Sequence, residues 1–169
     1  MKGSWLLAPV LVSVLAAVEA PTGRVPSEPK APLMVVLQRV DDALAEKDVD
    51  AAVRTWNDAY RAALASRRWE HFVAVGDAYR RIGEIAVFPA TFDTKAREIY
   101  LSALWRARQE ESLDGVLRVS EALAALGDGA GVEQGVRIAE ALASLDSDAQ
   151  ADVRAFAVRV AELLPPRGE

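Results

Sequence analysis

Few side chains in this sequence could run a reaction. There is one histidine, His71, and no cysteine. A histidine acting as general base needs a nucleophile and an orienting partner within reach. Nothing near His71 in the sequence supplies them, so it reads as an ordinary surface or half-buried residue. The missing cysteines exclude disulfides, thiolate metal sites and thiol catalysis. Only an all-oxygen metal site remains conceivable. Its one candidate, Asp146-Ser147-Asp148-Ala149-Gln150-Ala151-Asp152, starts like a calcium loop. Such a loop requires Gly at its sixth position and Glu at its twelfth, where this chain has Ala151 and Ala157. Helix capping accounts for the cluster better. Gly127-Asp128-Gly129-Ala130-Gly131 resembles a phosphate cradle only in its glycines. Dinucleotide loops follow a strand, and the pattern before Gly127 is helical, so a helix-to-helix turn is expected. The sequence thus predicts no catalytic set, no cofactor and no metal.

What remains is charge that could recognise a partner. Arg67, Arg68, Arg80, Arg81, Arg106 and Arg108 make the middle of the chain basic, and the part after Glu110 is acidic. The net charge of −5 and pI near 5.0 offer nucleic acid no general attraction. No stacking aromatics interleave with the arginines either. A guanidinium presents a planar fork that matches a carboxylate, so an acidic group on a protein or peptide is the fitting target.

These side chains must be positioned by helices. In Phe72-Val73-Ala74-Val75-Gly76-Asp77-Ala78-Tyr79-Arg80-Arg81-Ile82-Gly83, residues Phe72, Val75, Gly76 and Tyr79 fall at i, i+3, i+4 and i+7 on one face. Gly76 lies within that face, where a missing side chain lets a second helix come close, and Gly83 reads as the stop. Tyr79 is expected in the core. Before this helix, Val36, Val40, Ala43 and Leu44 form one stripe, and Ala52, Trp56, Ala59 and Ala63 another. Asp48 or Asp50 caps the second. After it, Glu84 to Asp93 reads as an insert, or in part as an extension of either flanking helix, with Asp93 a cap for a helix at 94–108. Val116, Val119, Ser120 and Leu123 mark a further helix. Gly135, Ala139 and Leu142 mark the next. Val153, Phe156, Ala157, Val160 and Leu164 line a last one, capped in the Asp146-Ser147-Asp148 stretch. The tryptophans and phenylalanines are expected in the core, except Phe88 and Phe92 of the insert.

The central stretch resembles the first helix of a tetratricopeptide repeat, whose pattern is W-x2-L-G-x2-Y followed by A-x3-F. Gly76 and Tyr79 match, Phe72 stands for the Trp and Val75 for the Leu. Ala96 with Tyr100, and Ala52 with Trp56, resemble the A-x3-aromatic of the second helix. Val40, Gly76 and Ser120 recur at spacings of 36 and 44, against about 34 in that family. The resemblance covers about residues 33–145. It implies an all-α array of stacked antiparallel hairpins, about seven helices in all. It also implies a protein-binding groove lined by one stripe of each first helix. Here that stripe is Leu37, Asp41 and Leu44, then Glu70, Val73, Asp77, Arg80 and Arg81, then Asp114, Leu117 and Glu121. Arg80 and Arg81 would orient an acidic side chain or terminal carboxylate of a partner peptide.

The ends carry different signals. Met1-Lys2 followed by the apolar run Trp5–Val18 reads as a signal peptide within residues 1–20. The run falls short of the ~20 residues that span a bilayer. Cleavage is expected at Ala16 or Ala17, or at Ala20, and the product would act in the periplasm or outside the cell. Residues 21–32 hold four prolines and read as a spacer, the helical domain is 33–164, and 165–169 is a tail. The alternatives to a monomeric binder are a structural protein that self-associates through its last helix and an enzyme of unrecognised type.

Overall fold

The computed structural model describes residues 32–86 and 89–164. The expected signal peptide, the spacer up to residue 31, Phe88 and the tail lie outside the described residues. Within them the chain is all-α, with seven helices and no strand. They are α1 (Leu33–Ala45), α2 (Val49–Ser66), α3 (Trp69–Ile85), α4 (Pro89–Gln109), α5 (Leu113–Ala125), α6 (Gly129–Leu142) and α7 (Ser147–Leu163).

Four of the helices begin where a side chain satisfies the first free amides. Asp48 accepts from Ala51 N, Ser112 from Gly115 N, Asp128 from Gly131 N and Asp146 from both Asp148 N and Ala149 N. Proline opens α4, a position where its missing N–H costs nothing. The connections are short. Lys47, Arg67 and Glu111 take left-handed backbone angles (φ 59°, 59° and 52°) in three of them, and Gly127 (φ 72°) does so in a fourth. A non-glycine residue there costs roughly 1–2 kcal/mol, which the packing of the flanking helices must offset.

Neighbouring helices pack as antiparallel hairpins, α1 with α2, α3 with α4 and α5 with α6. Across the hairpins α1 packs on α3, α3 on α5 and α5 on α7, so the odd-numbered helices form one continuous layer. The even helices form the other layer, where α4 touches α6. Buried alanines let the layers close: Ala52, Ala59 and Ala63 on α2, Ala96, Ala103 and Ala107 on α4, and Ala139 on α6. The buried Trp56 indole donates to Val75 O at 2.7 Å and ties the first hairpin to the second.

The approach of α3 to α4 depends on Gly76. A Cβ there would lie 2.5 Å from Tyr100 Cε1, well inside van der Waals contact with the ring. In the third hairpin the roles reverse, for Ser120 on α5 occupies the space that Gly135 on α6 leaves open. Ser120 is fully buried, and its hydroxyl donates to Val116 O.

Several expectations are corrected. Gly83 does not stop α3. The helix runs to Ile85, and Gly83 is buried where Phe92 packs on it. The residues read as an insert at 84–93 are mostly taken up in longer helices, and Asp93 lies inside α4 instead of capping it. Phe92 is a half-buried packing residue beside Tyr79, 4.8 Å between ring centroids. Tyr79 itself is only half-buried, its ring tilted against those of Trp56 and Phe92. The fully buried tyrosine is Tyr100. Trp105, expected in the core, is 54% exposed.

Candidate functional site

The odd-helix layer gathers most of the charged residues that the sequence marked. Asp41 on α1, Asp77, Arg80 and Arg81 on α3, and Glu121 on α5 all reach its surface. A depression between α3 and α5 is lined by Asp77, Arg80, Arg81, Glu84, Arg118 and Glu121, with Ala122 and Ala125 as its apolar part.

The charges there are largely paired across helices. Arg81 donates to Asp41 Oδ1 from both Nη2 (2.8 Å) and Nε (3.1 Å), joining α3 to α1. Arg118 Nη2 lies 3.2 Å from Asp77 Oδ2, joining α5 to α3. The other Asp77 oxygen accepts the Tyr100 hydroxyl at 2.6 Å. Burial raises the pKa of that hydroxyl well above the usual tyrosine range, and the bond to Asp77 adds to the effect while Arg80 opposes it. Tyr100 therefore stays protonated and donates to Asp77, fixing its carboxylate from below. Both ion pairs are about half-exposed, where such pairs contribute ~0–1 kcal/mol. Their clearer effect is to set the register of α1, α3 and α5.

Arg80 differs from the other two arginines. Its Nη2 lies 3.5 Å from Ala125 O, at the limit of a hydrogen bond. It makes no ion pair among the described residues. The cation available to a ligand in this depression is thus Arg80, while Arg81 is held by Asp41.

The remaining stripe residues fare differently. Leu37, Leu44 and Val73 are buried, because α1 and α3 are each covered by neighbours on two sides. They are packing residues and not an accessible groove floor. Leu117 is half-buried and packs against the core, and Asp114 is exposed. Glu70 sits at the start of α3 and pairs with Arg68 at 2.7 Å, a bond that holds its carboxyl below the usual range. Arg118 was not singled out in the sequence, although it falls one turn after Asp114 and one before Glu121 on the same stripe.

Sequence reasoning also missed a hydroxyl beside the histidine. His71 Nδ1 lies 2.7 Å from Ser66 Oγ, across the turn between α2 and α3. The serine hydroxyl also lies 2.9 Å from Ala63 O. No carboxylate orients the other ring nitrogen among the described hydrogen bonds, so the contact reads as a turn-closing bond. The described residues hold no group of three or more metal-ligating side chains, and no described helix is long and apolar enough to cross a membrane. No family model, curated protein or solved structure matches the chain.

Proposed function

We propose that this protein is an exported protein-interaction module that holds a partner peptide or protein against the odd-helix layer, with Arg80 as its anionic anchor point. The observation that carries this reading is the unequal pairing of the three arginines. Arg81 and Arg118 are held by Asp41 and Asp77, which leaves Arg80 as a positioned guanidinium without a carboxylate. A bidentate pair with a side-chain or terminal carboxylate is the strong interaction open to such a group. Asp77, pinned by Tyr100 and Arg118, lines the same depression and would orient a donor on the ligand. The likeness of residues 69–108 to a tetratricopeptide repeat supports a binding role, since stacked helical hairpins present extended surfaces. The apolar start of the sequence supports export to the periplasm or beyond.

The test is capture by cross-linking in the native cell envelope, comparing the wild type with Arg80→Glu. Arg80 is the residue to change, because reversing Arg81 would also set a carboxylate against Asp41. The expected result is a partner lost from Arg80→Glu and weakened by salt, with an unchanged melting curve. A partner retained equally by Arg80→Glu would refute this assignment.

A further inference from the structure

The α3–α5 depression holds more uncommitted charge than its one arginine. Six charged side chains line it, three of each sign. Two of the three cations are committed, Arg118 to Asp77 within the depression and Arg81 to Asp41 on α1. Removing these pairs leaves Arg80, Glu84 and Glu121. None of the three forms an ion pair among the described residues. Arg80 is half-buried and both glutamates are exposed, so the cation is the more enclosed charge.

This arrangement disfavours a plain anion. A ligand with carboxylates alone gains Arg80 but meets two like charges beside it. A ligand with ammonium groups alone has the reverse difficulty at Arg80. One carboxylate and one ammonium on the same ligand satisfy all three groups. The helices set how far apart the two signs stand. Glu84 follows Arg80 at i+4 on the same face of α3, about 6 Å further along the axis. Glu121 comes from α5, and packed helix axes lie about 8–10 Å apart. That spacing exceeds the distance between the amine and carboxylate of a free amino acid, which share one carbon. A lysine at the end of a chain matches it, because its ammonium stands on a flexible four-carbon stem. Such stems lie along apolar surface while the charged head stays in water. Ala122 and Ala125 provide that surface here.

We propose that the depression receives a basic residue at the carboxyl end of a partner chain. A lysine is the simplest case, with its terminal carboxylate on Arg80, its ammonium between Glu84 and Glu121, and its stem against Ala122 and Ala125. This rests on the odd-helix layer being the binding face and names the kind of residue that the face takes. Exposed ion pairs are individually weak, so the preference for lysine is several-fold and fades with salt.

NMR titration of the isotopically labelled protein with short acetylated peptides tests this. Ala-Ala-Lys, Ala-Ala-Ala and Ala-Ala-Glu with free carboxyl ends, and Ala-Ala-Lys with an amidated end, differ only in the charges at issue. The free-ended lysine peptide should bind with about millimolar affinity and shift the amide signals of Arg80 and Ala125. The alanine peptide and the lysine amide should each bind about fivefold more weakly, and the glutamate peptide more weakly still. With Glu84→Gln and Glu121→Gln together, the lysine and alanine peptides should bind alike. With Arg80→Gln, the lysine peptide should lose its advantage over its amide. A glutamate peptide that binds as tightly as the lysine peptide would overturn the proposal and still leave Arg80 as a carboxylate anchor. A lysine preference that survives the double glutamine variant would overturn it as well. So would the absence of any shift up to about 10 mM peptide. In that last case the binding face itself is judged separately, by the envelope capture with Arg80→Glu.

Discussion

Replacing Gly76 by alanine should destabilise the protein, although alanine is the better helix former. The added methyl would lie 2.5, 2.9 and 3.1 Å from Tyr100 Cε1, Cδ1 and Cζ. Comfortable carbon contacts begin near ~3.5 Å, so the ring must retreat by about 1 Å. It has little freedom to do so. Tyr100 is fully buried, and its hydroxyl is tied to Asp77, which Arg118 holds in turn. Overpacking of this kind costs about 1–3 kcal/mol. Stretching a hydrogen bond to a charged acceptor adds part of its ~1.5–3 kcal/mol. Helix propensity returns about 1 kcal/mol, so the net loss is about 2 kcal/mol. With a urea slope of ~1–3 kcal/mol per molar, the midpoint followed by circular dichroism should fall by about 1 M. Gly129→Ala is the control, since its methyl would meet nothing closer than Leu164 Cδ1 at 3.8 Å. It should be neutral or gain up to about 1 kcal/mol. A Gly76→Ala protein as stable as the wild type would show that Tyr100 does not pack across that glycine.

Tyr79→Ala should cost about 2 kcal/mol and Tyr100→Ala about 4 kcal/mol, because only the second ring is fully buried; paired urea titrations would read the order. Tyr100 also predicts an alkaline limb. Its raised pKa means that the unfolded chain ionises first, so its stability contribution is intact below about pH 10 and declines as pH rises above that value. Denaturation at about pH 9 and about pH 11 should show this decline in the wild type and a flatter one in Tyr100→Phe. Asp128→Ala should lower stability by about 1–2 kcal/mol. It removes the cap on Gly131 N and strands Arg97, whose Nε lies 2.7 Å from Asp128 Oδ2. Thermal melts would check it.

The helices were legible because their apolar stripes repeat at helical spacing and because Asp48 and Asp146 are side chains that cap. The ends of α3 and α4 were not. Gly83 and Asp93 carry the local chemistry of a stop and a start, but Phe92 packing onto Gly83 makes continued helix the better solution. The site was legible by face and not by depth. Leu37, Leu44 and Val73 share the stripe of Asp41 and Asp77, yet a helix covered on two sides buries part of any stripe. The pairing of Arg81 with Asp41 and of Arg118 with Asp77 spans about forty residues of sequence. No periodicity encodes such a pairing, and it decides which arginine stays available. Trp105 misled for a related reason, since the outer face of α4 follows the same helical period as the inner one.

The placement of the close-packing glycines limits how such a chain could have been assembled. In the second hairpin the small residue is on the first helix, Gly76 under Tyr100. In the third it is on the second helix, Gly135 under Ser120. Exchanging α3 with α5 would drive Ser120 into Tyr100 at one place and leave two glycines facing an empty gap at the other. Exchanging whole hairpins would keep both fits. Whatever duplication or recombination shaped this array, the piece that can move without repair is the hairpin, with its two helices inherited together.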